Sequence, residues 1–154
     1  MKQFYLRDDF LSMIEPWLWM RELWLLGTYA PRPLKADNKE EFRLLIEKYG
    51  VDKPFGLYIS VATFSDPLKV DDKSAESLRV GWDFFLDLDS ESLEDAKRAA
   101  SKAVKALAQF NVEGFLLKFS GRRGFHLTIP GLSLDVFAPG EFRLAYPKLA
   151  VLLA

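Results

Sequence analysis

Apolar residues recur along this chain at helical spacings in some stretches and alternate in others. Phe4, Phe10, Leu11, Ile14, Trp17 and Leu18 fall mostly on one helical face, and Pro16 predicts a bend. Arg21-Glu22-Leu23-Trp24-Leu25-Leu26 reads either as an apolar strand or as an extension of that helix before the Pro31-Arg32-Pro33 turn. Asn38 followed by Glu41 has the form of a capping box, and Phe42, Leu45, Ile46 and Tyr49 form an i, i+3, i+4, i+7 stripe that stops at Gly50. That spacing predicts an amphipathic helix. Leu57, Ile59, Val61 and Thr63 alternate with Tyr58, Ser60 and Ala62, which predicts one strand closed by Asp66-Pro67 and followed by a polar loop over residues 69–76.

From Val80 the alternation resumes, with Trp82, Phe84, Leu86 and Leu88 on one face and Asp83, Phe85, Asp87 and Asp89 on the other. Ser92 with Asp95 predicts a helix start, and Ala96, Ala99, Ala100, Ala103, Val104 and Leu107 supply its apolar stripe. Two further strands follow, one through Leu117 and Phe119 and one over residues 125–130, joined by a Gly-Arg-Arg-Gly turn. The interleaving predicts an α+β fold, a mixed or antiparallel sheet core with packed helices, in a single domain over residues 1–154.

The chain has 154 residues, of which 49% are hydrophobic and 28% charged, a composition that excludes a disordered tail or a fibre. Its longest apolar runs, residues 17–20 and 149–154, are far shorter than the roughly 18–20 residues of a bilayer span. Asp8 and Asp9 interrupt any signal-peptide core, so the expected location is cytoplasmic, with no membrane partner. The absence of cysteine removes disulfides, cysteine-based zinc sites and thiol catalysis together. With 21 basic and 22 acidic residues, any contact with nucleic acid must come from a local patch. The aromatic content of 14% suits a rich core and base stacking equally.

Two segments carry candidate chemistry. Asp87 and Asp89 lie two apart at the end of a strand, so their carboxylates share a face with Cα atoms about 6.5–7 Å apart. Such a pair either converges on a hard divalent cation, Mg²⁺ or Mn²⁺, or lies in a solvated turn. Ser120-Gly121-Arg122-Arg123-Gly124-Phe125-His126 brackets two arginines with glycines and ends on the chain's one histidine. Glycine leaves backbone N–H groups free to face an anion and the guanidinium forks suit phosphate, so the segment is either an anion cradle or a basic hairpin tip. If the flanking strands pair, a five-residue loop over residues 121–125 keeps Leu117 and Phe119 on the face of Leu127 and Ile129, and sets Ser120 opposite His126. There is no Walker lysine loop, no multi-histidine metal set and no nucleophile elbow around Ser120.

The Asp-Leu-Asp strand, a helix and then Ser-Gly-Arg-Arg-Gly-Phe-His, in that order, resemble the first two motifs of the catalytic small subunit of archaeal and eukaryotic primases. Upstream, Arg21-Glu22 is similar to that family's Arg-Glu motif. Leu57-Tyr58-Ile59-Ser60-Val61-Ala62 with Asp66-Pro67 is similar to the strand before its metal motif, so the likeness runs from about residue 15 to 130. The resemblance implies a primase (prim-pol) catalytic fold and template-directed synthesis of short primers on single-stranded DNA by a two-metal mechanism. It implies Asp87 and Asp89 as catalytic metal ligands for Mg²⁺ or Mn²⁺. Ser120, Arg123 and His126 would grip the incoming nucleoside triphosphate, Arg122 that triphosphate or the nucleic-acid backbone, and Arg21 a second triphosphate, oriented by Glu22. It also implies a primase large subunit as partner. The family's zinc insertion is missing, since there is no cysteine. Its third metal-binding acid lies well after the histidine, and in the 28 residues beyond His126 the only aspartate is Asp135 and the only glutamate Glu141. Asp135 either completes the metal set or is an exposed loop acid. The chain is on this reading a fragment, a minimal relative or a degenerate one, its apolar end at residues 149–154 a helix in need of a partner surface. A non-catalytic nucleotide- or nucleic-acid-binding module of a replication or repair complex is the alternative.

Overall fold

In a computed structural model that describes residues 1–131, the N-terminal helical pattern folds as two short helices, α1 (Lys2–Tyr5) and α2 (Asp8–Ile14), and a 3₁₀ turn at Glu15–Trp17 that contains Pro16. Asp8 and Asp9 occupy the first turn of α2, where the partial positive charge of the helix start favours them. The ambiguous segment after it is a strand, β1 (Leu23–Leu26), with Leu23 and Leu25 turned into the core. α3 (Lys39–Tyr49) is the capped helix that the spacing predicts. Asn38 Oδ1 accepts from the Glu41 N–H at 2.9 Å, and Glu41 Oε2 accepts from the Asp37 N–H at 2.9 Å, so the reciprocal cap reaches one residue further out than a standard box. Phe42 and Ile46 on its apolar face are fully buried.

β2 (Gly56–Ile59) pairs antiparallel with β1, Leu23 opposite Ile59 and Leu26 opposite Gly56. The single strand expected through Thr63 breaks at Ser60, and β3 (Ala62–Phe64) begins in the opposite phase, with Ala62 and Phe64 buried where Val61 and Thr63 were expected. The cause is the hydrogen bonding of Ser60. Ser60 donates its N–H to the Glu22 carbonyl at 2.9 Å, its hydroxyl donates to the Ala62 carbonyl at 2.6 Å and accepts from the Glu22 N–H at 3.1 Å. A side chain that satisfies backbone groups in this way offers them an alternative to the ladder.

A 3₁₀ turn at Pro67–Lys69 and a four-residue helix, α4 (Ala75–Leu78), flank and end the expected polar loop. β4 (Arg79–Trp82) forms a two-stranded sheet with β3. The long strand expected from Val80 is likewise divided, because β5 (Phe84–Leu88) restarts after Asp83. Asp83 is 2% exposed, and its carboxylate accepts from the Gly131 N–H at 3.1 Å. α5 (Leu93–Gln109) starts at Ser92, whose hydroxyl accepts from the Asp95 N–H at 3.3 Å. Ala96 and Ala100 are buried, while Ala99, expected on the same stripe, is exposed. β6 (Leu116–Phe119) and β7 (Phe125–Ile129) complete a three-stranded sheet in the order β5-β7-β6, antiparallel throughout.

The architecture is therefore α+β, with helices and small antiparallel sheets. The chain divides into two compact units, Met1–Val80 and Gly81–Ala154. The first has its own core, in which Leu11, Leu18, Leu23, Phe42 and Ile46 are no more than 1% exposed. In the second, α5 packs against β5 and β7, and Leu127 and Ile129 are buried. Among the described residues no helix is long and apolar enough to cross a membrane. Asp135, Glu141 and the apolar end at residues 149–154 lie outside the described residues.

The Asn38 cap gives a direct test of how the first unit is held: Asn38→Ala removes the acceptor of the Glu41 N–H and is expected to cost about 1 kcal/mol, read as a lowered urea midpoint with an unchanged slope.

Candidate functional site

The second unit brings the acidic strand end and the basic turn together through β7. Its pairing with β5 sets Asp87 opposite His126 and Leu88 opposite Phe125, and its pairing with β6 sets Lys118 opposite His126 and Phe119 opposite Phe125. Because side chains alternate across a sheet, Phe85, Asp87, His126, Thr128 and Lys118 share one face. Leu86, Leu88, Leu127, Ile129 and Leu117 share the other. The apolar phase predicted for Leu117, Phe119, Leu127 and Ile129 is thus the observed one.

On the polar face His126 Nε2 stands 3.7 Å from Asp87 Oδ1, a contact that is an ion pair only when the imidazole is protonated. The Asp87 side chain is 61% exposed and that of His126 30%, so the pair is open to a ligand yet held by its ladder. The Phe85 ring lies beside the imidazole, with centroids 5.2 Å apart. Asp89, the residue after β5, approaches the turn so closely that a Cβ on Gly124 would sit 2.7 Å from its Oδ1 and 3.2 Å from its Cα. Glycine at 124 is required by that approach.

The turn itself is shorter than expected. Ser120 donates its N–H to the Gly124 carbonyl at 2.9 Å, and its Oγ accepts from the Gly124 N–H at 3.1 Å, which leaves a three-residue turn over residues 121–123 in place of the five-residue loop. Ser120 therefore faces Gly124, and the residue opposite His126 is Lys118. The slip is by two positions, so every side chain keeps its face. Gly121, the first of the three, has a φ of +97°, a left-handed conformation that glycine adopts without strain. Sequence reasoning missed Lys118 because a two-residue slip is invisible to hydrophobic phase; the serine hydroxyl four residues before a glycine was the available signal.

Arg122 and Arg123 are exposed at the tip, and among the described residues neither is ion-paired. A hydroxyl that accepts, as that of Ser120 does, still has a proton to donate. The donor set of Asp87 and Asp89 is all oxygen and suits Mg²⁺ or Mn²⁺, which commonly take one or two carboxylates and complete their shell with phosphate and water. Among the described residues no group of three or more His, Cys, Asp or Glu side chains is placed to hold a metal. Arg21 belongs to the first unit, where it is 6% exposed and donates from Nη1 to the Ser60 carbonyl at 2.9 Å. Glu22 forms an ion pair with Arg32, Oε1 to Nε at 2.6 Å. The only support for Arg21 as a triphosphate ligand is the motif resemblance.

No protein-family model matches this chain, and no curated protein matches it.

The two turn glycines should differ in what their replacement does. Gly124→Ala is expected to displace Asp89 and to lower stability by roughly 1–3 kcal/mol, as overpacking does. Gly121→Ala meets no neighbour within 4 Å and should cost only the backbone strain of its positive φ, about 1–2 kcal/mol. Amide spectra would show the Asp89 signal moving in the first variant and staying in the second.

Proposed function

We propose that the second unit binds a nucleoside triphosphate against a divalent cation and acts in template-directed nucleotidyl transfer, as the primase resemblance implies, with the prim-pol fold as its scaffold. The observation that carries this reading is the close approach of Asp89 to Gly124, which gives the paired acids and the arginine turn one end of one sheet. In this reading Asp87 and Asp89 hold Mg²⁺ or Mn²⁺ through oxygen. Bound there, the cation neutralises phosphate charge and lowers the pKa of a primer 3′ hydroxyl.

The chain's own side chains do the rest. Arg123 and Arg122 present guanidinium forks to phosphate oxygens, Ser120 donates its hydroxyl proton, and His126, held between Asp87 and Lys118 by its ladder, donates from a ring nitrogen. In the reaction the 3′ hydroxyl gives up its proton to solvent, its oxygen bonds to the α-phosphorus, and the bond to pyrophosphate breaks, so that pyrophosphate leaves. A single-stranded DNA template and a primase large subunit are the partners that go with this reading.

A second reading rests on the arginine turn alone, whose exposed Arg122 and Arg123 can hold phosphate without any metal chemistry. It makes the unit a nucleotide-binding module without turnover. Primer extension on a single-stranded template with labelled nucleotides separates the two. Product that disappears in Asp87→Asn, with triphosphate affinity retained, supports transfer; wild type and Asp87→Asn equally silent, while both bind, supports the module. In either case Arg123→Ala is expected to weaken triphosphate binding about ten-fold, the loss of one charge-assisted hydrogen bond. Equal affinity in wild type and Arg123→Ala removes the turn from the site.

A further inference from the structure

The first unit carries an aromatic surface that its core does not use. Leu23 and Leu25 of β1 are 1% and 2% exposed, so alternation turns Trp24 to the opposite face. There it pairs across the ladder with Tyr58 of β2, the rings 5.4 Å apart at an interplanar angle of 37°. Tyr58 remains 53% exposed. The Arg32 guanidinium lies over the Trp24 ring, 4.8 Å from its centroid. The ion pair that fixes this arginine is asymmetric, for the Arg32 side chain is 57% exposed and that of Glu22 only 13%. The guanidinium is thus the outward member of a charge pair, with the Asp72 carboxylate also acting on it, beside the exposed Tyr58 ring.

We propose that Tyr58, Trp24 and Arg32 form a stacking platform for the bases of a single-stranded nucleic acid. Bases stack on tyrosine rings and on guanidinium planes whatever their sequence, and the 57% exposed Arg32 side chain keeps N–H donors within reach of a strand's phosphates. The choice of a nucleic-acid strand among π-faced ligands rests on the reading above; the geometry of the platform does not.

The test is fluorescence anisotropy of a labelled 12-mer of deoxyuridine, the ribo-uridine 12-mer and an abasic 12-mer, with the whole 154-residue chain, EDTA and no triphosphate. Wild type is expected to bind the base-bearing strands more tightly than the abasic one. Tyr58→Ala should lose about ten-fold on the base-bearing strands and nothing on the abasic strand, while Tyr58→Phe keeps the wild-type affinity. Tyr58→Leu preserves bulk without a π-face and should show the same loss, which decides the matter if the alanine variant is unfolded by its urea midpoint. A difference between the two base-bearing strands identifies the preferred sugar. Wild-type affinity in folded Tyr58→Leu, equal binding of abasic and base-bearing strands, or a concentration-dependent dimer abolished by Tyr58→Leu would each overturn the platform, the last by assigning the face to a second copy of the chain. Strand binding is measured here without triphosphate and the Arg123→Ala test measures triphosphate without a strand, so a failure here leaves the triphosphate site standing and the converse also holds.

Discussion

Asp87 and His126 face each other because the five residues of β5 pair with the five of β7, and the rest of the second unit follows from that ladder. Antiparallel pairing fixes each residue opposite one partner, so one register decides the faces, the site and the turn at once. It buries Leu127 and Ile129 on the covered side and leaves Asp87, His126 and Lys118 in a row across three strands on the other. It also brings the end of β5 beside Gly124, where only the missing side chain lets a carboxylate come so near the backbone of the turn. A slip by one position would exchange the buried and polar faces, so the cost of misplacing the site is the cost of exposing the core.

The first unit shows the same economy with a different device. Ser60 closes β2 through its own hydroxyl and, through its carbonyl, receives the buried Arg21 guanidinium. The break costs little because every freed backbone group named there finds a partner. Its effect is to reverse the phase of burial, so that Ala62 and Phe64 can join a second small sheet.

Much of this was legible in the residues. The two capped helices declared themselves because Asn38 and Ser92 stand where a side-chain oxygen is needed and the apolar stripe begins just beyond them. The faces of β5, β6 and β7 were legible because alternation has only two phases. Two strand breaks were not, since Ser60 and Asp83 sit in unbroken alternation and act through hydrogen bonds that depend on distant partners, Glu22 and Gly131. The turn was legible in its parity and not in its length, because three and five residues satisfy the same apolar pattern. Lys118 entered the candidate site through that difference alone.

Gly121, at a φ of +97°, occupies the half of backbone space that belongs to mirror-image amino acids. A D-residue introduced there by chemical synthesis would adopt its ordinary conformation, and a D-cysteine would be the chain's one thiol, open to selective labelling. The hairpin tip is thus a natural attachment point for a reporter group next to Arg122 and Arg123 that leaves both strands untouched.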